Sequence, residues 1–174
     1  MVMKNLFFIF CGAMVFALAG CAGGGGEGGD VPTVKNFDPA RYMGVWREVA
    51  RFENWFEKGM RAVKAEYSLN PDGTVSVVNS GVKEDGSQTS VRGEAYAPDK
   101  SDYSKLRVSF FWPFYGDYYI LELDPGYQWA LVGGRDKSYL WILARAPTLS
   151  DETLSAIKSK AAARGYDTGK FIFD

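Results

Sequence analysis

Two carboxylates in otherwise apolar segments, Glu48 and Glu122, are the side chains that could move a proton, and Cys21 is the thiol set in an informative context. A carboxylate pair can divide acid and base work when both groups converge on one substrate. Nothing in the sequence brings these two together. The 174-residue chain contains no histidine, which removes Ser–His, Cys–His and histidine–metal chemistry. Its two cysteines, Cys11 and Cys21, both lie near the start, so no disulfide framework is available. A net charge of −1 offers no clustered basic surface for nucleic acid. No cofactor is expected, and a binding role fits this inventory better than an enzymatic one.

Cys21 carries a different chemistry. Lys4 supplies a positive start, residues 6–18 form an apolar stretch too short for an ordinary membrane span, and Leu18-Ala19-Gly20 precedes the thiol. This pattern resembles the lipobox of bacterial lipoproteins, in which small residues admit the chain to the signal peptidase and the cysteine sulfur receives diacylglycerol. The resemblance implies a signal peptide over residues 1–20, removed together with Cys11, and acyl chains on Cys21. Residues 21–35, with Gly23 to Gly26 and Gly28-Gly29, read as a Gly-rich lipid-anchored tether. Ala22 stands where an aspartate would signal inner-membrane retention. The expected place is therefore the outer membrane, lipid-anchored and facing the periplasm.

The elements that must position any site follow from Asn36 onward. Aromatic residues are 16% of the chain, and they favour strands, as β-branched residues do. Strands are predicted over 44–52, 62–69, 74–83, 88–97, 105–112, 117–123, 127–133 and 138–145. Turn chemistry separates them at Asn70-Pro71-Asp72-Gly73, Glu84-Asp85-Gly86 and Asp124-Pro125-Gly126. Short links between consecutive strands predict an all-β, eight-stranded antiparallel up-and-down barrel, closed so that no edge is exposed. Ser150 caps one C-terminal α-helix, with Asp151 and Glu152 in its first turn and Gly165 just past its end. Leu154, Ile157 and Ala161 pack this helix on the outside of the barrel, and a short strand over 170–173 follows.

Alternation sorts the inner face. It predicts Trp46, Glu48 and Ala50 inside on the first strand, and Val63, Ala65, Tyr67 and Leu69 on the second. Val75, Val77 and Asn79, then Val91, Gly93 and Ala95, follow on the third and fourth. Leu106, Val108, Phe110 and Trp112 line the fifth, and Tyr139, Trp141 and Leu143 the eighth. On the sixth strand, Tyr118/Ile120/Glu122 and Tyr119/Leu121/Leu123 are equally good inner faces.

Asn36-Phe37-Asp38 and Gly44-Val45-Trp46 resemble the start of the lipocalins. The later landmarks occur in order: Asp124 and Tyr127 at the turn between the sixth and seventh strands, and Arg145 ending the eighth. The stretch from Lys105 to Gly116 and the run from Tyr139 to Arg145 are similar to the bacterial outer-membrane lipocalins and, more distantly, to apolipoprotein D. The resemblance covers residues 36–174. It implies a structural motif of Gly44, Trp46, Asp124, Tyr127 and Arg145, with the arginine stacked on the floor tryptophan, a contact of about 0.5–2 kcal/mol.

The resemblance also implies a small hydrophobic ligand such as a fatty acid or lysophospholipid, a role in envelope maintenance or stress, and membrane attachment through the N-terminal lipid. A homodimer stays open. The candidate ligand-lining residues are Glu48, Ala65, Tyr67, Val77, Asn79, Ala95, Phe110, Trp112, Tyr139 and Trp141. Glu48 and Asn79 either meet a polar headgroup or belong to a satisfied network. Trp55, Phe56, Trp112, Pro113, Phe114 and Tyr115 fall on loops at one end, where they either pack on the rim or dock lipid. Arg135 and Lys137, at the same end, could attract a phosphate or carboxylate. The competing readings are an interaction lipoprotein with a filled barrel and a lipocalin-fold enzyme using Glu48 or Glu122.

Overall fold

The structure is a computed structural model that describes residues 30–173. Cys21, the signal segment and most of the tether lie outside the described residues. A one-turn helix α1 (Pro39–Tyr42) precedes β1 (Gly44–Phe52), β2 (Arg61–Leu69), β3 (Val75–Val82), β4 (Gln88–Tyr96), β5 (Lys105–Phe111), β6 (Phe114–Leu123), β7 (Trp129–Gly133) and β8 (Leu140–Ala144). Helix α2 (Asp151–Ala163), a 3₁₀ turn and β9 (Phe171–Phe173) complete the chain. Each strand pairs antiparallel with the next, and β1 pairs with both β8 and β2, which closes an eight-stranded barrel. β9 adds to β1 on the edge opposite β8, above the point where β2 leaves it.

Closure is uneven along the barrel axis. β1 and β2 pair only over Gly44–Arg47, and β4 and β5 only over Glu94–Tyr96. Both stretches lie toward the end that carries α1. At the other end, residues 88–93 of β4 pair with β3 alone. Hydrogen bonding therefore pins the barrel at one end and leaves two seams at the other. The loops after β1, β3, β5 and β7 form this second end, here called the mouth.

Two bulges correct the expected inner face. Between Glu48 and Ala50 the register of β1 against β8 shifts, so Ala50 turns outward and packs in the cluster beneath α2 instead of lining the barrel. Arg51 takes the inward place. A second shift between Ile120 and Glu122 settles the sixth strand as a hybrid. Tyr118, Ile120 and Leu123 pack inside, whereas Tyr119 and Leu121 face the helix. One extra residue reverses the alternation, and each bulge does so once. Leu69, expected inside, is exposed at the end of β2.

Boundaries moved where turn chemistry was subtle. β6 begins at Phe114 rather than 117, because Trp112-Pro113 alone makes the tip of the β5–β6 hairpin. β7 begins at Trp129 rather than 127, because Asp124–Gln128 is wholly turn: Asp124 Oδ2 accepts from Gly126 N and Gln128 N, and Tyr127 adopts φ +58°.

Helix α2 behaves as its sequence dictates. The Ser150 side chain accepts from Thr153 N, and Gly165 ends the helix at φ +80°, a conformation that costs glycine least. Ile157 and Ala161 are wholly buried against Leu121, Leu131, Leu140 and Ile142. Glu122 joins them at the edge as a clamp: it accepts from Arg164 Nη2 at 2.7 Å and from Lys160 Nζ at 3.1 Å. Burial alone would raise its carboxyl pKa, but the two cations outweigh it and hold the group below its ordinary 4.5. Replacing Glu122 with Gln is expected to destabilise the fold by about 1 kcal/mol at neutral pH, the scale of a partly exposed charged pair. Because the carboxyl titrates lower when folded, that contribution is complete above pH 4.5 and fades as pH falls through the folded value. Urea unfolding of both proteins at pH 7 and pH 3 measures this as a gap that closes on acidification.

Candidate functional site

The closed end is built around one tryptophan. Gly44, at φ +88°, brings the chain beneath the barrel with its Cα beside Arg145, so that Trp46 points upward into the base. Trp46 is wholly buried, and its indole N–H donates to Tyr42 O at 2.7 Å. The Arg145 guanidinium lies 3.9 Å from the Trp46 ring centre. Its N–H groups reach Val45 O, Arg41 O, Tyr42 O and Met43 O at 2.8–3.1 Å. These include carbonyls that α1 leaves unpaired at its C-terminus, where a cation is favoured. Tyr127 completes the floor: its hydroxyl accepts from Asp38 N at 2.8 Å, and Arg41 stacks on its ring at 4.0 Å. Gly44, Trp46, Asp124, Tyr127 and Arg145 thus gather at one end.

Above the floor, three phenols form a chain. Tyr118 Oη lies 2.8 Å from Tyr42 Oη and 2.9 Å from Tyr67 Oη. Burial raises all three pKa values well above the ordinary 10, so the three phenols stay neutral. A cavity of about 10 Å³, the space of a single water, lies against these rings together with Phe37 and Leu106. Ala65, Tyr67, Val77 and Ala95 belong to this lower half and pack against one another. It is filled by side chains.

The upper half differs. Asn79 and Val91 pair across β3 and β4 and share the inner face with Val77 and Gly93, yet Val91 is 36% exposed. Phe110 and Trp141 also line this half and stay partly accessible. Asn79 Oδ1 is buried there with no hydrogen-bond partner among the described residues. The inner face is therefore fully buried below and partly accessible above.

A buried polar group stands at this boundary. Glu48 Oε1 accepts from Arg51 Nη1 at 2.5 Å, and Arg51 Nη2 donates to Glu57 O and Met60 O at 3.0 and 3.2 Å. Asn54 Nδ2 and the Trp141 indole N–H both donate to Glu57 Oε2. Phe56 lies 6.1 Å from Tyr139 and 6.5 Å from Trp141 between ring centres. The loop 53–60 is thereby fastened across part of the mouth. Arg51 and Glu57 were not legible as inner residues, because the bulge that turns Arg51 inward leaves no mark in the sequence.

Other expected positions fall elsewhere. Trp112 does not line the barrel: β5 ends at Phe111, and Trp112, at the hairpin tip, is 83% exposed. Glu122 sits outside under α2, so it cannot meet Glu48. Arg135 is held by Asp117, which Arg107 also contacts, and Lys137 donates to Arg164 O. Neither cation is unengaged at the mouth.

The family described as a lipocalin-like domain matches residues 37–174. The outer membrane lipoprotein Blc of Escherichia coli strain K12 is 46% identical over 144 residues, covering 82% of this chain and 81% of that protein. Apolipoprotein D of Macaca fascicularis is 34% identical over 147 residues, covering 80% and 77%. Among solved structures, insecticyanin of the tobacco hornworm Manduca sexta superposes with a TM-score of 0.68 at 24% identity, covering 83% and 84%. This last likeness concerns the fold.

The floor geometry makes a quantitative demand. Trp46→Ala is expected to cost about 3–5 kcal/mol as a large buried truncation. Arg145→Lys should also destabilise, since an ammonium cannot both stack on the ring and reach several carbonyls. A double-mutant cycle of Trp46→Phe with Arg145→Lys, followed by urea unfolding, should show coupling above about 0.5 kcal/mol. Strictly additive losses would mean that the stack contributes nothing.

Proposed function

The chain belongs to the lipocalin family, and on that premise we propose that it binds a single-chain amphiphile, a fatty acid or lysophospholipid, in the upper half of the barrel. The observation that carries this reading is the contrast between a base packed to the size of one water and a mouth where inward-facing Val91 stays exposed. The apolar wall of Val91, Val108, Phe110 and Trp141 takes the acyl chain. The polar boundary of Glu48, Arg51, Asn79 and Glu57 lies within reach of a headgroup. Each buried CH₂ contributes about 0.8 kcal/mol, opposed by about 4–15 kcal/mol for association. Binding is then micromolar rather than picomolar.

Cys21 is acylated in this reading and holds the barrel at the outer membrane, facing the periplasm, with residues 1–20 removed and 21–35 as tether. The relative named an outer membrane lipoprotein supports that place. The role is carriage or sequestration of lipid in the envelope, without catalysis: Glu48 is engaged by Arg51 and Glu122 by Arg164 and Lys160, far from one another.

Calorimetric titration of the delipidated chain with palmitate and with lysophosphatidylglycerol should give saturable one-to-one binding. Val91→Trp, which puts side chain where ligand would lie, should weaken it at least tenfold while leaving thermal unfolding unchanged. A folded, delipidated protein that binds neither probe, or a Val91→Trp protein that binds both normally, contradicts the proposal.

A further inference from the structure

Few charged side chains are buried in this barrel, and those few meet at one place. Among the described residues they are Glu48, Arg51 and Glu57, at 6%, 5% and 6% exposure. Arg51 Nη1 donates to Glu48 Oε1, and Arg51 Nη2 donates to Glu57 O. Glu57 Oε2 accepts from Asn54 Nδ2 and from the Trp141 indole N–H. Two carboxylates thus stand beside one guanidinium in a place shielded from water. A carboxylate or phosphate arriving there sheds its own hydration and adds like charge, and both oppose binding. An uncharged head meets neither cost.

Hydrogen bonding at this place is incomplete. Arg51 Nε is buried without a hydrogen-bond partner among the described residues, and so is Asn79 Oδ1. Buried polar atoms are almost always paired, so each exception asks for a reason. The first atom is a donor and the second an acceptor.

The strand register sets the two on one inner surface. Asn79 lies opposite Ala65, and Ala65 lies opposite Trp46, two residues before Glu48 on β1. Arg51 turns inward at the bulge after Glu48 and is tied to Glu48. Around Asn79 the inner face is apolar, with Val91 across on β4 and Val77 next on β3. An ionised carboxylate only accepts, so it can answer Arg51 Nε but not Asn79 Oδ1. A hydroxyl does both.

We propose that this place selects an uncharged polyol head, and that the ligand class is a monoacylglycerol. One glycerol hydroxyl accepts from Arg51 Nε, another donates to Asn79 Oδ1, and the acyl chain lies along Val91, Val108 and Phe110. The assignment rests on the single-chain reading above and narrows it. Glu48 and the carbonyls of Glu57 and Met60 already hold the guanidinium. Its Nε–H is therefore fixed before ligand arrives, and recognition costs little ordering.

The test titrates the delipidated chain by tryptophan emission at about pH 8, where a free fatty acid is ionised. The probes share one acyl chain: 1-monolauroylglycerol, laurate, and propyl laurate, which lacks the hydroxyls. Monolauroylglycerol should bind at least about tenfold tighter than either, because the other two leave buried partners unpaired. Asn79→Leu should cut that preference at least about fivefold. Its thermal unfolding midpoint should not fall, since the free chain loses no hydrogen bond there. A lowered midpoint would show Asn79 Oδ1 engaged in the free chain and overturn the assignment. Laurate binding as tightly as monolauroylglycerol overturns the head selection and leaves the single-chain reading standing. Propyl laurate matching monolauroylglycerol does the same, since the chain alone would then account for binding. A preference that Asn79→Leu retains puts the head elsewhere and overturns the site. Folded protein that binds none of the three overturns the single-chain reading as well.

Discussion

The guanidinium of Arg145 holds the closed end together, and the barrel's asymmetry follows from it. It covers the Trp46 ring at 3.9 Å and receives the carbonyls around α1. Desolvation lowers its pKa, yet a guanidinium stays charged in a protein, and ring and carbonyls replace the lost water. A one-turn helix has no stability of its own. It persists because Pro39 and the Asp38 cap start it and Arg145 ends it. Removing that cation would take away the donor that ties the exposed and part-buried carbonyls around α1 to the floor, in addition to the stack.

From this fixed base the sheet opens upward. β1 pairs fully with β2 only beside the floor, then bends at the bulge after Glu48 to meet β9 instead. β4 and β5 likewise separate above Glu94 and Ser109. Gly93 marks the parting, since a Cβ there would strike Ser109 O and the Phe110 ring. The lower interior is filled by Trp46, the linked tyrosines and small aliphatic side chains, whereas the inner-face side chains above it, Val91, Phe110 and Trp141, are less buried.

Much of this arrangement was legible in the residues. The eight strands, the outer helix with its Ser150 cap and Gly165 stop, and the family landmarks rest on local chemistry that tertiary structure did not override. What escaped has a common cause. A bulge inserts one residue without changing composition, so the inward turn of Arg51 and the outward turns of Ala50 and Glu122 could not be read from alternation. Trp112 continues the pattern of Leu106, Val108 and Phe110 in sequence, but the strand stops one residue short of it. Helix α1 is too brief for periodicity to register. Burial of Glu57 depends on a loop folding back onto Trp141, a contact between residues 84 apart.

The central claim is that the barrel is rigid at its floor and ligand-responsive at its mouth. Amide hydrogen exchange, followed residue by residue with and without palmitate, tests it most directly. Amides of Trp46, Arg145 and the lower strands should exchange slowest and be unchanged by the fatty acid. Amides within residues 88–93 and at Phe110 and Phe111 should exchange fast in the free protein and slow severalfold when palmitate is added. Uniform protection from end to end, or a palmitate effect confined to the floor, would contradict the account.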